Sequence, residues 1–251
     1  MRLDKFLSEK FSSRTKAAEA IEKGLITVNG SRVSPSYNVK ETDKVEITEA
    51  EENYVSAGGY KLAKALKDFS FSVKGGIFAD IGASTGGFTD CLFQNGAKKV
   101  YCIDVGESQL SEKLNYNNVV VIDNFNARNL DKSLFYEDLD GVVIDVSFIS
   151  LTYILGSVSD ILSRGKSAIA LIKPQFECES RNVGKNGIVR DEKTRKKIIR
   201  KIYDFAISVD MFPQNLTTAP LVKGKNTEYL ILLEKNGRCE KIENLLKCIK
   251  I

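Results

Sequence analysis

Polar side chains follow several short apolar runs in the second part of the chain. The runs have the length and composition of buried strands, and the residues that close them are Asp80, Asp104, Asp123, Asp145 and Lys173. In open α/β sheets, ligands bind outside the carboxyl ends of the parallel strands. A core does not need five charged groups at such positions, so we predict that they belong to one functional site.

The residue types that are missing narrow the chemistry. The sequence contains no histidine, which excludes Ser-His-Asp hydrolases, Cys-His nucleophiles and histidine metal sites. The five cysteines form no C-x-x-C pair, so neither a zinc ribbon nor a disulfide framework is indicated. We predict no metal. Acid–base chemistry must then use Lys, Asp, Glu, Tyr or Cys.

A glycine-rich loop follows the first of these apolar runs, and it fits neither G-x-G-x-x-G nor the phosphate loop that ends in G-K-[ST]. Asp80 would repel a pyrophosphate, whereas it suits S-adenosylmethionine, whose amino and sulfonium groups are cationic. We therefore predict S-adenosylmethionine as the cofactor. The candidate cofactor-binding residues of this loop are Asp80, Gly82, Ala83, Ser84, Thr85, Gly86, Gly87, Phe88 and Thr89.

Two further acids complete the predicted cofactor site. Asp104 ends the second strand about twenty residues on, where an acid accepts hydrogen bonds from ribose hydroxyls. Asp123 ends the third strand and is expected to meet the adenine edge. A nicotinamide-dependent dehydrogenase would share Asp104 but not the argument from Asp80, and it remains the alternative among nucleotide-binding enzymes.

The elements that must position these residues alternate between strand and helix. Strands are predicted over 77–81, 99–104, 119–123, 141–145 and 168–173, and a helix over 87–95. This alternation predicts an α/β fold with a doubly wound, mostly parallel, Rossmann-like sheet. Another helix is predicted over 60–68, with Lys61 at its start, where the helix dipole disfavours a cation.

The first fifty residues follow a different pattern. Two short helices are predicted over 2–10 and 14–23, then a hairpin at Asn29-Gly30 and a third strand over 44–48. This segment contains nine basic and eight acidic residues, so its charge alone does not indicate a nucleic-acid partner.

This small α+β segment resembles the S4 RNA-binding domain. The resemblance lies in Arg2-Leu3-Asp4-Lys5-Phe6-Leu7, Ser13-Arg14-Thr15-Lys16-Ala17 and Gly24-Leu25-Ile26-Thr27-Val28-Asn29-Gly30. It implies that the segment docks on structured RNA by neutralising phosphates. The side chains that would do so are Arg2, Lys5, Arg14, Lys16 and Lys23.

Composition sets the limits for the whole chain. Its 251 residues are 43% apolar and 28% charged, with a net charge of +4, as is typical of a soluble globular protein. No signal peptide or membrane span is indicated, so we expect a cytoplasmic protein, and a monomer by default. The predicted division is an S4-like domain over 1–50, a linker over 51–59 and a cofactor-binding α/β domain over 60–251.

Residues 54–234 resemble the FtsJ-type ribose 2'-O-methyltransferases, and the full arrangement resembles the TlyA family, also called haemolysin A-like proteins. The stretches that carry the resemblance are Gly59-Tyr60-Lys61-Leu62, Gly82 to Thr89, Asp145-Val146-Ser147-Phe148-Ile149-Ser150-Leu151, Lys173-Pro174-Gln175-Phe176-Glu177, Gly184 to Asp191 and Asn226-Thr227-Glu228-Tyr229. The family methylates the ribose 2'-hydroxyl of cytidines in ribosomal RNA.

The resemblance implies a catalytic tetrad of Lys61, Asp145, Lys173 and Glu228. Lys173 would be the general base or would stabilise the 2'-oxyanion, and Asp145 would steady the sulfonium. The other pair would orient the ribose and tune Lys173. From the residues alone, Lys61 and Glu228 are equally well read as surface charges. The S4-like motif begins at Arg2, which resembles the shorter form of the family and implies methylation of the large ribosomal subunit.

Three features leave alternatives open. One alternative is a ribosome factor with an S4 domain, whose second domain binds S-adenosylmethionine but does not transfer its methyl group. The complete tetrad argues against this alternative. A membrane-active haemolysin is suggested by the older family name, but the sequence has no strongly amphipathic membrane helix. The basic stretch over 190–201 is predicted to be helical and is either a solvated face or a second phosphate contact.

Overall fold

The computed structural model describes residues 1–8, 10–11, 13–22, 25–47, 54–107, 109–114, 116–179, 183–184, 187–222 and 224–249, apart from the side chain of Lys16. The chain divides into two compact units, residues 1–53 and 54–251. Among the described residues, none of the helices has the length and apolar character that crossing a membrane requires.

The first unit is a small α+β fold. Two short helices precede a three-stranded antiparallel sheet of order β2-β1-β3. Asn29 and Gly30 join β1 to β2 with φ of 52° and 76°, the left-handed pair that a tight hairpin turn requires. The elements are α1 Leu3–Phe6, α2 Arg14–Glu22, β1 Ile26–Val28, β2 Ser31–Arg32 and β3 Val45–Ile47. The helix predicted over 2–10 therefore ends earlier, at Phe6.

The second unit is built on a seven-stranded sheet of order β6-β5-β4-β7-β8-β10-β9. The strands from β4 to β8 pair in parallel, and β10 and β9 run antiparallel at one edge. The strands are β4 Ile77–Ile81, β5 Lys99–Ile103, β6 Val119–Ile122, β7 Gly141–Ile144, β8 Ser167–Ile172, β9 Met211–Thr218 and β10 Tyr229–Lys235. The predicted mostly parallel sheet is confirmed.

Helices cover both faces of this sheet. Leu62 of α3 and Leu92 of α4 pack in one apolar cluster, whereas Leu155 of α5 and Ile199 of α7 pack in the other. The helices are α3 Ala57–Asp68, α4 Gly87–Gln94, α5 Leu155–Ile161, α6 Pro174–Glu177, α7 Glu192–Ser208 and α8 Ile242–Lys247. Because helices cover both faces and the strands are buried on both sides, the mostly parallel sheet is doubly wound.

The start of α3 corrects the sequence prediction. The helix begins at Ala57 rather than at residue 60, because Ser56 caps it by accepting a hydrogen bond from the Gly58 backbone N–H. Lys61 is therefore the fifth residue of the helix. The expectation that Lys61 stands at the unfavourable start of the helix dipole was wrong.

Candidate active site

The glycine loop between β4 and α4 is shaped by close backbone approaches. Gly82 has a φ of 82°, and a Cβ built on it would lie 2.7 Å from the carbonyl oxygen of Asp145, which directly follows the neighbouring strand β7. A Cβ on Gly87 would collide with Ser56 Oγ at the start of α3. The loop therefore keeps its path only because it has no side chains at these points, and α3 packs directly on it.

Asp104 holds the crest of this loop from the end of β5. Its Oδ2 accepts a hydrogen bond of 2.8 Å from the backbone N–H of Ser84, and Oδ1 accepts one of 2.9 Å from Gly106. Ser84 itself has a φ of 47°, a left-handed conformation that the bond to Asp104 stabilises. Carboxylate oxygens have further lone pairs, so Asp104 retains the capacity to accept from a ribose hydroxyl.

Asp80 lies beneath the loop and does not line the cavity. It is fully buried, and its Oδ2 accepts a hydrogen bond of 2.7 Å from Thr89 Oγ1, while Oδ1 has no hydrogen-bond partner among the described residues. Burial raises the pKa of Asp80 to about 7. The expectation of a carboxylate facing a cationic cofactor therefore changes: in this structure Asp80 supports the loop from below.

The four residues of the expected tetrad form two ion pairs. Lys173 Nζ lies 2.6 Å from Asp145 Oδ1, and Lys61 Nζ lies 2.6 Å from Glu228 Oε2. All four side chains are largely shielded, with exposures between 11% and 23%, so solvent screens these pairs less than surface pairs.

Strand pairing brings the two ion pairs to one edge of the sheet, the edge formed by the carboxyl ends of the parallel strands and not by an outer strand. Asp145 and Lys173 directly follow β7 and β8, which are parallel neighbours. In the antiparallel pairing of β10 with β8, Tyr229 lies opposite Ile172, so Glu228 comes at the same edge as Lys173. Lys61 reaches this edge from α3, which packs against β10.

The cavity at this edge is shared by the glycine loop and the Lys173 ion pair. Lys173 also donates a hydrogen bond of 2.8 Å to Ser147 Oγ. The cavity is lined by Ser56, Gly58, Gly82, Ala83, Ser84, Thr85, Gly87, Phe88, Asp145, Ser147 and Lys173. Ser56, Gly58 and Ser147 were not predicted as site residues, although Ser147 lies within the Asp145–Leu151 stretch that carries the family resemblance.

The remaining predicted loop residues have structural positions of their own. Gly86 is the N-cap of α4 with a φ of 86°, and Thr89 is buried against Asp80. Asp123 follows β6, next to the strand that Asp104 ends, and is not among the residues that line the cavity. The described residues include no group of acids and cysteines arranged to hold a metal ion.

Known proteins resemble this chain along most of its length. Hemolysin A of Brachyspira hyodysenteriae is 44% identical, over 92% of this chain and 98% of its own length. A Mycobacterium tuberculosis protein named 16S/23S rRNA (cytidine-2'-O)-methyltransferase TlyA is 36% identical, over 88% of this chain and 84% of its own length. The FtsJ-like methyltransferase model matches residues 54–235, and the S4 domain model matches residues 1–45. This chain belongs to the TlyA family of FtsJ-like methyltransferases.

A solved structure agrees with this membership. A Streptococcus thermophilus protein, described as a hemolysin candidate, is 36% identical and superposes with a TM-score of 0.73, covering 98% of this chain and 94% of its own. The expected resemblance to the TlyA family is thus confirmed.

In the S4 part of this TlyA-family chain, two of the five residues predicted to bind RNA pair with the same acid. Asp4 is almost fully buried, and it binds Arg2 at 2.9 Å and Arg14 at 3.1 Å. Hydrogen bonds from Arg2 and Arg14 lower the pKa of Asp4 to about 2. The two arginine side chains remain about half exposed, so their outer faces are open to a phosphate.

The other three predicted RNA contacts are less defined. Lys5 is exposed on α1. Lys16 lies in α2, and its side chain is outside the described structure, as is the whole of Lys23.

The basic stretch predicted over 190–201 forms the first half of α7, which begins at Glu192. Several of its cations bind groups within the same unit. Arg195 donates to the carbonyl oxygen of Val189, and Arg200 and Lys201 pair with acids, at 3.2 Å and 3.6 Å. These cations therefore have partners within the folded protein. A second phosphate contact at this helix stays a prediction.

Proposed function

We propose that this chain transfers a methyl group from S-adenosylmethionine to the ribose 2'-hydroxyl of a cytidine in ribosomal RNA. The observation that carries the proposal is Lys173, held between Asp145 and Ser147 on the wall of the cavity that the glycine loop also lines. The family relatives named for this activity support the same assignment.

The cavity fits the proposed cofactor. Its loop is cleared of side chains at Gly82 and Gly87, and it is lined mainly by small and polar residues rather than by the cations that a pyrophosphate would need. When bound, S-adenosylmethionine supplies an electrophilic methyl group. Asp104 would accept hydrogen bonds from the cofactor ribose, and Ser84 and Thr85 would lie against the bound cofactor.

Lys173 would act on the nucleophile. Its Nζ carries three N–H donors, of which one binds Ser147, while the contact with Asp145 is an ion pair without hydrogen-bond geometry. A donor is therefore available for a substrate oxygen. Lys173 then either stabilises the developing oxyanion as an ammonium or accepts the hydroxyl proton as an amine. Lys61 and Glu228 would orient the ribose from the adjoining part of the same edge.

An exposed aromatic ring next to this site supports a nucleotide substrate. Phe148 is 90% exposed, follows Ser147 directly, and has its ring 5.0 Å from that of Phe176. Proteins that act on RNA bases splayed from their stack hold them on such rings. We therefore propose that Phe148 receives the base of the nucleotide whose ribose lies at Lys173.

The decisive experiment compares two lysines that flank opposite ends of the same strand, β8, and that each pair with an acid next to β7. Lys173 pairs with Asp145 at the carboxyl ends of β8 and β7, and Lys166 pairs with Asp140 at 2.7 Å at their amino ends. We expect Lys173→Ala to lower transfer of tritiated methyl groups to ribosomal subunits by about 10²–10⁴-fold, whereas Lys166→Ala keeps the wild-type rate.

Product analysis completes this test. Small and large ribosomal subunits are assayed separately, and digestion with mass spectrometry should yield 2'-O-methylcytidine, with the large subunit as the predicted substrate. Transfer by Lys173→Ala at the wild-type rate, or a methyl group found only on a base, would contradict the proposal.

A further inference from the structure

The segment that leaves β7 turns sharply beside the proposed active site. Phe148 has a φ of 63°, a left-handed conformation that a bulky side chain adopts only when its surroundings hold it there. Its own ring is 90% exposed, so its contact with the Phe176 ring buries little of it. The turn must therefore be held through its flanks, Ser147 on one side and Ser150-Leu151 on the other.

A buried carboxylate holds the second flank. Glu177 is 6% exposed, and its Oε1 accepts a hydrogen bond of 2.7 Å from the Leu151 backbone N–H while Oε2 accepts one of 2.5 Å from Ser150 Oγ. Lys201 backs it from α7, with Nζ 3.6 Å from Oε2. Burial raises the pKa of Glu177, so these partners are needed to keep a charge there.

Glu177 and Lys173 bind opposite flanks of the same turn. Lys173 is the N-cap of α6 and Glu177 is its last residue, so a single helical turn separates them. Lys173 binds Ser147 before the turn, and Glu177 binds Ser150 and Leu151 after it. Movement of either flank would displace Ser147 relative to Lys173.

We infer that Glu177 is a positioning residue, which acts through the turn over 147–151 to keep Ser147 in place against Lys173. The inference rests on the proposed function, because it assigns Glu177 a part in that reaction without contact to the substrate. Its neighbours are hydrogen-bonding groups rather than cavity, so the effect should fall on the rate of transfer and not on cofactor binding.

The test uses substitutions at Glu177 and a matched acid elsewhere. Glu177→Ala removes both hydrogen bonds, and Glu177→Asp keeps the charge but withdraws it from Leu151, so we expect each to lower kcat at least about tenfold. Glu177→Gln retains an acceptor for the Leu151 N–H and should keep at least about a third of kcat. Asp140→Asn is the control, because Asp140 also binds a backbone N–H and a lysine, but at the opposite edge of the sheet.

A double-mutant cycle separates positioning from general destabilisation. If Glu177 acts through Ser147, then Glu177→Ala combined with Ser147→Ala should be no more than about twofold slower than the slower single variant. The Kd of S-adenosylhomocysteine should stay within about twofold of wild type in Glu177→Ala and Glu177→Asp, because Glu177 does not line the cavity. Wild-type kcat in both Glu177→Ala and Glu177→Asp, or single effects that multiply in the double variant, would overturn the inference.

Hydrogen exchange distinguishes failure of this inference from failure of the proposed function. An inactive wild-type protein would contradict the methyl-transfer proposal alone. The Leu151 amide should still exchange faster in Glu177→Ala than in wild type and in Asp140→Asn, because its acceptor is gone. Equal exchange rates in the three proteins would overturn the inference whether or not methyl transfer is observed.

Discussion

Two glycines with similar positive φ angles make it possible to test how close backbone approach shapes the cofactor loop. Gly82 has a φ of 82° and Gly75 one of 73°, but a Cβ on Gly82 would lie 2.7 Å from a backbone oxygen, whereas a Cβ on Gly75 would meet nothing within 4 Å. Alanine at either position pays about 1–2 kcal/mol for the left-handed conformation. Only Gly82→Ala adds a backbone clash, which costs about 1–3 kcal/mol more.

The expected free energies of unfolding follow from these terms. Gly75→Ala should be about 1–2 kcal/mol less stable than wild type, and Gly82→Ala about 2–5 kcal/mol less stable, by urea unfolding. Because Gly82 must move away from the Asp145 backbone, only its variant should bind S-adenosylhomocysteine more than about tenfold more weakly, by calorimetry. Two variants of equal stability, both with wild-type Kd, would refute the argument that close approach shapes the loop.

Three further predictions concern other parts of the chain. Asp80 has a folded pKa of about 7 against about 3.9 when unfolded, so the folded state binds the extra proton and stability falls as pH rises from about 4 to 7. The Tm of Asp80→Asn relative to wild type should thus rise with pH and level off above about 7; a constant difference would contradict it. Arg14→Ala should weaken binding to the ribosomal subunit and lower the slope of log K against log salt concentration by about 1, whereas Lys44→Ala in the same unit should not. Equal slopes for the two variants would refute a phosphate contact at Arg14. Phe148→Ala should lower transfer by about 5–150-fold, the loss of one stacked base, whereas the equally exposed Tyr136→Ala should not; equal rates would exclude stacking.

Local sequence signals predicted most elements of the fold. The hairpin at Asn29-Gly30 is found where the dipeptide indicated it, because those two residues accept positive φ at little cost. The parallel strands were predicted from apolar runs of the right length. Strand β9 was missed: Pro213 interrupts its pattern, and the strand tolerates a proline because it pairs only with β10, at the edge of the sheet.

For the candidate site, the sequence by itself determined which residue types end the strands and where the loop lacks side chains, since both depend on neighbours in the chain. It could not decide which charges meet. Lys61 and Glu228 lie 167 residues apart and pair only because α3 packs against β10. The burial of Asp80 beneath its loop, and of Glu177 behind the turn at Phe148, also came only from tertiary packing, because burial depends on elements distant in the sequence.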